Sequence, residues 1–363
     1  MDYSNEQLRA LAREFCPAGL DKDPVPLGNG HINDTLLLTT AKGTQYILQK
    51  MNTYVFTNPQ GLMENVFGVT EYLKKRIVEQ GGDPNRETLT FIQTRSGDLY
   101  YNGPEGAFRA YRFQSDLFAL NAARNAQDFY ASGKAYGRFQ SLLGDYPADT
   151  LHETIPHFHD TPQRMQQLKA AIEKNAAGRK DTAQEEIAFA LEREASCGIV
   201  MDLQARGALP VRVTHNDTKL NNVLLDPKTG EGVCVIDLDT VMPGQAIFDF
   251  GDSIRYGAST AAEDEPDLSK VHLDLELFDA YTRGFLEGCN NVLTPAEKSL
   301  LPTGAWMMTL ECGVRFLADY LNGDVYFKTG YPTHNLVRAR TQFKLVREME
   351  EKQDQMQAIV AKY

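Results

Sequence analysis

The spacing of hydrophobic residues divides the chain into two parts. Up to residue 113, short apolar runs separated by turns predict strands, including one that runs into Gly28 and others at 35–40 and 44–51. A long helical pattern interrupts these strands at residues 59–80. Its apolar positions share one helical face: Leu62, Val66, Val69, Leu73 and Ile77.

Helical periodicity dominates the rest of the chain. Residues 124–205 are mostly helical in pattern, and helices resume near residue 274. Between them lie two strand-like runs, "NVLLD" and "GVCVIDL", joined by the turn "PKTG". The sequence lacks the regular strand–helix alternation that a doubly wound parallel sheet requires. The pattern therefore predicts an α+β fold with a small antiparallel β lobe, which carries one main helix, and a larger, mostly α-helical lobe.

The change of pattern also sets the expected boundaries. We expect the β lobe to span residues 1–113, a hinge to span 114–116 and the helical lobe to span 117–363. A chain of 363 residues is long enough for two lobes that each have a core.

Composition narrows the classes of partner. The formal net charge of −12 argues against a protein that binds nucleic-acid backbones, which requires a basic surface. The N-terminus has no apolar signal region and no run of 18 apolar residues occurs, so we expect a cytoplasmic protein without a membrane partner. The five cysteines show no CxxC spacing and predict neither a disulfide framework nor a zinc site. We further expect a monomer.

One polar stretch, "THNDTKLNN", stands out between two apolar runs. Such a stretch fits an ordinary hydrated turn, but its spacing His-x-Asp-x-Lys-x-x-Asn also supplies the parts that phosphoryl transfer needs. Asp217 can accept the proton of an attacking hydroxyl, and Lys219 can neutralise charge on the transferred group. Asn222 and Asp237 offer oxygen ligands to magnesium, and the intervening hairpin brings them to one end of the site. His215 is expected to fix the shape of the loop.

These residues carry a family resemblance. The segments "VTHNDTKLNNVL" and "VIDLDT" resemble the catalytic and metal-binding segments of the aminoglycoside phosphotransferase and choline kinase superfamily, relatives of the protein kinases. The resemblance implies a protein-kinase-like bilobal fold, ATP as co-substrate and Mg²⁺ as cofactor. It also implies that Asp217 is the general base, that Asn222 and Asp237 are the metal ligands, and that Asp249 braces the loop.

Longer strings narrow the resemblance to the N-acetylhexosamine 1-kinases of this superfamily, which phosphorylate the anomeric hydroxyl of N-acetylglucosamine or N-acetylgalactosamine. They include "LGNGHIN", "FDFGDSIRYGAS", "ECGVRFLADYL" and "YPTHNLVR", and the resemblance runs from about residue 23 to the C-terminal helix. It implies a sugar substrate that contacts Asp217, with Arg315, Tyr326, His31 and Tyr256 as further pocket residues. Alternatively, Arg315 is a helix-surface ion-pair residue, and Tyr326 serves in packing.

The phosphate-binding segments are assigned by position. Backbone N–H groups of a short loop between the first two strands can approach phosphates closely, so we expect Gly28, Asn29, Gly30 and Asn33 to contact ATP. An ordinary hairpin turn is the alternative. Phe113, next to the predicted hinge, is expected at the adenine.

The sequence does not determine which residue of the third strand faces the phosphates. The residue that faces the phosphates is Gln49 or Lys50, which point to opposite sides of the strand; Lys50 is the candidate cofactor-binding residue. Glu64 or Glu71 on the next helix is its possible partner, unless both are solvated surface charges.

Three other functions compete with this assignment. The nearest is a kinase of the same fold that acts on another hydroxyl, such as that of an aminoglycoside, an amino alcohol or another hexose. A nucleotide-binding module without transfer activity is disfavoured because the base and both metal ligands are kept. A dinucleotide oxidoreductase is disfavoured because "GNGHIN" lacks the full glycine pattern.

Overall fold

We describe residues 3–16, 19–27 and 33–363 of a computed structural model of the protein. Six strands form one antiparallel sheet near the N-terminus: β1 (Val25–Pro26), β2 (Asp34–Thr39), β3 (Gln45–Lys50), β4 (Phe91–Ile92), β5 (Tyr101–Gly103) and β6 (Gly106–Arg112). Their order across the sheet is β1–β2–β3–β6–β4, and β5 also pairs with β6. Each ladder joins antiparallel neighbours, which short turns can connect.

Within the described ranges, three helices accompany this sheet. Helix α1 (Asn5–Phe15) begins with a capping box between Ser4 and Gln7 and packs Leu8, Leu11 and Phe15 on one face. Helix α2 (Pro59–Glu79) buries the apolar face that its periodicity predicts, and it belongs to the main core with Phe91 and Ala107. The short helix α3 (Pro84–Glu87) follows.

The larger lobe contains ten helices among the described residues. They are α4 (Ala126–Leu142), α5 (Thr161–Lys174), α6 (Gln184–Leu191), α7 (Ile199–Ala205), α8 (Ala246–Gly257), α9 (Leu275–Cys289), α10 (Pro295–Ser299), α11 (Leu301–Asn322), α12 (His334–Glu351) and α13 (Gln353–Val360). Helices α4 and α9 lie very close together. A Cβ atom at Gly137 would be only 2.1 Å from the Phe285 carbonyl oxygen. Glycine at this position is therefore a condition of their packing.

Two small antiparallel pairs are embedded in these helices. Strands β8 (Val223–Leu225) and β9 (Gly232–Val235) form the predicted hairpin. Strands β7 (Arg212–Thr214) and β10 (Met242–Gly244) form a second pair, which places the segments before and after the site side by side. The predicted α+β fold class is confirmed, but the sequence pattern predicted neither the second strand pair nor helix α8.

No helix in the described part of the chain combines the length and the hydropathy that crossing a membrane requires.

Candidate active site

Side chains of helix α8 hold the backbone of the polar loop at residues 215–222 through hydrogen bonds. Asp249, 1% exposed, accepts hydrogen bonds from the backbone N–H groups of His215 (2.9 Å) and Asn216 (2.8 Å) and from the Gln140 amide (2.7 Å). Burial raises the pKa of Asp249, while His215 and these donors act in the opposite direction. Asp249 thus braces the loop, as predicted.

Two more residues of α8 hold the loop in the same way. The Thr218 N–H donates to Asp252 (3.0 Å), and the Ser253 hydroxyl donates to the Thr218 carbonyl (2.5 Å). Arg255 in turn bonds to Asp252 (3.0 Å) and to Glu263 (2.7 Å). Because both peptide groups of Thr218 are fixed, the residues on either side of it are held in a defined geometry.

The side chains of Asp217, Lys219 and Asn222 converge at the top of the loop. The Lys219 ammonium lies 2.7 Å from one carboxylate oxygen of Asp217, and the Asn222 amide donates to the other at 3.3 Å. Burial raises the pKa of Asp217, but Lys219, His215 and Arg255 outweigh it and hold the pKa below its usual range. Burial likewise opposes the charge on Lys219, whose pKa the Asp217 and Asp252 carboxylates nevertheless raise. Asp217 is therefore an ionised hydrogen-bond acceptor beside a cation.

His215 is completely buried and bonds within the loop. Its Nε2 lies 2.9 Å from the Ile236 carbonyl, and its Nδ1 accepts the Asp217 N–H at 3.3 Å. The Tyr136 and Phe139 rings meet the imidazole edge to face. The imidazole therefore links the loop to the end of β9, which agrees with the predicted shaping role.

Asn222 and Asp237 lie at the same end of the β8–β9 hairpin. The Ile236 N–H donates to the Asn222 carbonyl at 2.9 Å, and Val223 pairs with Val235. Asp237 has φ 60° and ψ 56°, which turns the chain sharply out of β9. Its side chain is open to solvent, although protein surrounds it on most sides, as on the floor of a cleft.

The charges around Asp237 suit a cation. Burial in the cleft, the Asp239 carboxylate and the Asp217 carboxylate together raise the pKa of Asp237 to about 7. The described residues contain no cluster of three His, Cys, Asp or Glu ligands. An amide and a carboxylate oxygen are hard ligands that fit a divalent ion completed by phosphate oxygens and water.

A buried polar network connects this cleft to the β lobe. Arg109 on β6 forms an ion pair with Asp239, with 2.5 Å between Nη1 and Oδ1. The Asn33 amide donates to the other Asp239 oxygen (2.6 Å), and the Asn52 N–H donates to the Asn33 side chain (2.9 Å). Asn33, a predicted ATP contact, is therefore occupied in holding the two lobes together.

The register of β3 decides between Gln49 and Lys50. Gln49 pairs directly with Arg109 across the strands, and its side-chain Oε1 accepts hydrogen bonds from the Arg109 Nε (3.0 Å) and Nη2 (2.8 Å). Lys50 points to the other face, where its ammonium bonds to the Tyr3 hydroxyl and lies 4.9 Å from the Tyr3 ring centre. The assignment of Lys50 to the phosphates is therefore corrected, because neighbouring residues of a strand face opposite ways.

The proposed partners of Lys50 are also placed elsewhere. Glu64 bonds to His152 (2.7 Å) and to Gln60 (2.7 Å), and Glu71 pairs with Lys74 (2.7 Å). These are contacts at the protein surface, which is the alternative that the sequence left open.

Other predicted nucleotide contacts are only partly defined. Gly28, Asn29, Gly30 and His31 lie outside the described residues. The Phe113 N–H donates to the Gln45 carbonyl at 3.1 Å, so this backbone donor is already used within the sheet.

The predicted acceptor residues fall into two places. Arg315 on α11 is half-buried and lies 5.6 Å from the ring centre of Phe158, 5.9 Å from that of Tyr326 and 5.5 Å from that of Phe327. Tyr326 is 62% exposed, and its N–H is fixed by Asp319 (2.9 Å). The structure thus brings Arg315 and Tyr326 together.

Tyr256 lies elsewhere. It lines a cavity of about 580 Å³ with Leu220, Arg255 and Gln342, and Arg315 and Tyr326 are not among the described residues that line this cavity.

Comparison with known proteins identifies the family. The sequence model of the phosphotransferase enzyme family matches residues 23–284. The chain belongs to this family. Membership agrees with the arrangement of Asp217, Asn222 and Asp237, and it makes phosphoryl transfer the class of reaction to which these residues are best suited.

Solved structures show the fold of this phosphotransferase in other proteins. A spectinomycin phosphotransferase in complex with ADP and spectinomycin superposes with a TM-score of 0.62 at 14% identity, over 98% of this chain and 100% of that chain. A microcompartment-associated aminopropanol kinase gives 0.58 at 17% identity, over 96% and 98%. The choline kinase of Cryptosporidium parvum gives 0.56 at 15% identity, over 94% and 92%.

Sequence reasoning missed Arg109, the buried cation that pairs with Asp239 beside the candidate site. Arg109 is 3% exposed in the middle of a strand whose neighbouring residues Phe108 and Ala110 are also buried. A charged residue within an apolar strand pattern is the signal that could have identified it, since buried charges need partners.

Proposed function

We propose that the protein is an ATP- and Mg²⁺-dependent kinase that phosphorylates the anomeric hydroxyl of N-acetylglucosamine or N-acetylgalactosamine. The observation that carries the proposal is the Asp217 carboxylate, held between the Lys219 ammonium and the Asn222 amide on a loop whose backbone is clamped by Asp249. A carboxylate in such a setting can orient a hydroxyl and accept its proton.

The reaction requires few steps from the protein. The anomeric oxygen forms a bond to the γ-phosphorus of ATP, the bond from that phosphorus to the β–γ bridging oxygen breaks, and ADP leaves. Asp217 accepts the hydroxyl proton, and Lys219 stabilises charge on the transferred group. Asn222 and Asp237 would hold Mg²⁺, which when bound neutralises charge on the phosphate oxygens. Because the anomeric hydroxyl is the most acidic of the sugar hydroxyls, one carboxylate is sufficient as proton acceptor.

The surroundings of Arg315 support an uncharged sugar as acceptor. Guanidinium N–H groups are donors for hydroxyl and acetyl carbonyl oxygens, and the nearby rings of Phe158, Tyr326 and Phe327 offer faces for the apolar side of a sugar ring. The extended sequence strings that resemble the N-acetylhexosamine 1-kinases point to the same class.

The same surroundings disfavour polycationic acceptors. Arg164 lies close enough to Arg315 that burial and the charge of Arg315 lower the pKa of Arg164. Two cations beside the proposed acceptor site would repel an aminoglycoside or a choline-like ammonium. A neutral acceptor does not meet this repulsion.

Product analysis tests the proposal. The protein is incubated with MgATP and, separately, with N-acetylglucosamine, N-acetylgalactosamine, glucose, choline and kanamycin, and products are followed by ³¹P NMR. We expect transfer to the two acetylated sugars and a phosphorus signal coupled to the anomeric proton. Phosphate at the 6-position, or turnover only with choline or kanamycin, contradicts the sugar assignment and leaves a kinase of the same fold with another acceptor.

A further inference from the structure

A histidine outside the catalytic loop links that loop to the helix of Arg315. The side chain of His159 is 8% exposed and lies in the loop before α5. Its Nδ1 is 2.9 Å from a carboxylate oxygen of Glu311 on α11, and its Nε2 is 3.3 Å from the Asn216 carbonyl. One imidazole therefore touches both sides of the proposed acceptor site.

The contact with Glu311 is buried and well satisfied. Glu311 is 1% exposed, and its second oxygen accepts the Thr161 hydroxyl at 2.8 Å. Burial raises the pKa of Glu311, but the charge and hydrogen bond of His159, followed by Arg315, outweigh it and hold the pKa below its usual range. Both partners of the imidazole are thus acceptors, so each contact is a hydrogen bond when the facing ring nitrogen carries a hydrogen.

The contact with Asn216 acts directly on the peptide group that precedes Asp217. His159 holds the carbonyl of that peptide, and the Nδ1 of His215 accepts its N–H at 3.3 Å. Asn216 itself has φ 65°, a conformation that non-glycine residues seldom adopt. His159 and His215 therefore fix the orientation of the peptide group between Asn216 and Asp217, and with it the direction of the Asp217 side chain.

The contact with Glu311 reaches the helix face that carries Arg315. Residues four apart on a helix lie on one face in successive turns, so Glu311 and Arg315 both face the segment of residues 158–159. Phe158, the neighbour of His159, also contacts the Arg315 guanidinium, at 5.6 Å from its ring centre. Residues 158–159 thus contact both the loop that carries Asp217 and the guanidinium of Arg315.

We propose that His159 is a positioning residue that sets the separation between the Asp217 carboxylate and the Arg315 guanidinium, and so the size of acceptor that reaches the phosphate. The role of Arg315 in this statement rests on the proposed function; the link from His159 to the catalytic loop does not. The nearby His157 has no such link: its ring bonds to Asp160 (3.0 Å) and its backbone N–H donates to the Glu153 side chain (3.1 Å), near the surface.

Three variants test the proposal. His159→Phe keeps a ring between Phe158 and Phe248 but removes both donors, and the adjoining cavity of about 280 Å³ leaves room for it. The double variant His159→Phe/Glu311→Leu also removes the carboxylate that would otherwise be left buried and unpaired. His157→Asn is the control, since its side chain is 61% exposed in the same segment and Asn tolerates the left-handed backbone of this residue (φ 57°).

Steady-state kinetics with varied acceptor and varied ATP give the expected pattern. In both His159 variants the KM for the acceptor rises on the order of tenfold or more and kcat falls, because small misplacements of reacting groups are costly. The KM for ATP stays within about twofold, and the control keeps wild-type kinetics. Thermal melting should be lower for the single variant and largely recovered in the double variant.

The outcomes separate the two proposals. A double variant with wild-type kcat and acceptor KM overturns the positioning role, because only stability would then depend on the pair. If the wild-type protein phosphorylates no N-acetylhexosamine, the sugar assignment fails, and the same comparison is made with the acceptor of the panel that does turn over. With that acceptor, altered kcat and acceptor KM in the His159 variants support the positioning role, and unchanged values overturn it.

Discussion

Arg109 on β6 and Asp239, two residues after the candidate metal ligand Asp237, form a buried ion pair between the sheet and the helical lobe. Their side chains are 3% and 6% exposed. Gln49 bonds to the arginine and Asn33 to the aspartate, so the pair is embedded in further hydrogen bonds. Through this network the sheet is fixed against the strand end at which phosphates and metal are expected.

Removal of the arginine should destabilise the protein. Arg109→Met leaves Asp239 buried without its charge partner, and we expect the free energy of unfolding to fall by about 3–5 kcal/mol. Urea denaturation measures this loss. The double variant Arg109→Met/Asp239→Leu should recover most of it, since replacement of a whole buried pair is often nearly neutral. A single variant as stable as the wild type contradicts the importance of the pair.

Asp217→Asn should remove most turnover while ATP still binds. The amide keeps the shape of the carboxylate but cannot accept the hydroxyl proton, and general-base contributions are typically ~10²–10⁴-fold. Turnover is measured by coupled ADP release and ATP affinity by calorimetry. Asp98→Asn, an exposed carboxylate in the β lobe, is the control. Near-wild-type turnover of the Asp217 variant overturns its assignment as the base.

Asn222→Ala and Asp237→Asn should each raise the Mg²⁺ concentration that half-maximal rate requires. Each change removes or weakens one oxygen ligand from the same end of the hairpin. A titration of the rate with Mg²⁺ at saturating ATP and acceptor provides the measurement. An unchanged Mg²⁺ requirement in either variant excludes that residue as a ligand.

Lys50→Met should leave the KM for ATP within about twofold of wild type. The ammonium lies on the α1 side of the sheet, against Tyr3, and not on the side of Gln49 and Arg109. Steady-state kinetics with varied ATP check this expectation. A large increase in KM would restore Lys50 as a phosphate ligand.

The stability of the C-terminal region should depend on pH through Glu348. Burial raises its pKa, but hydrogen bonds from Lys344, Lys352, His272 and the Leu273 N–H outweigh this and lower the pKa from 4.5 to about 2. A carboxyl whose pKa is lower in the folded state stabilises the fold above its unfolded pKa and loses this contribution as pH falls through its folded pKa.

We therefore expect Glu348→Gln to lower the free energy of unfolding on the order of 2 kcal/mol at pH 7. The difference from wild type should shrink as the pH falls from about 4.5 to about 2. Urea denaturation across this range measures it, with the exposed neighbour Glu351→Gln as control. A difference that is constant with pH contradicts the assignment.

The strands and helices with regular local patterns were predictable. Helix α2 shows its apolar face in the sequence, and the hairpin β8–β9 is bounded by a clear turn. Helix α8 was missed because its buried residues, Ala246 to Arg255, include the charged Asp249, Asp252 and Arg255, so burial there does not follow an apolar pattern. Strands β7 and β10 have three residues each, too few for a period to show.

The candidate site was predictable only where its residues are close in sequence. The spacing of Asp217, Lys219 and Asn222 points directly to the loop that the structure forms. The ion pair of Arg109 with Asp239 joins distant segments, and a charge within an apolar strand marks Arg109 but does not specify its partner. The choice between Gln49 and Lys50 depended on which face of the strand meets the cleft, which only tertiary packing decides.

Asp237 combines a left-handed backbone conformation with a carboxylate that lies near the Asp217 and Asp239 carboxylates. Both features cost free energy when the residue stands alone, by about 1 kcal/mol for the backbone. A bound cation would relieve the electrostatic part. If Asp237 binds Mg²⁺ as proposed, part of the affinity for the ion would come from relief of the repulsion that the Asp217 and Asp239 carboxylates exert on this side chain.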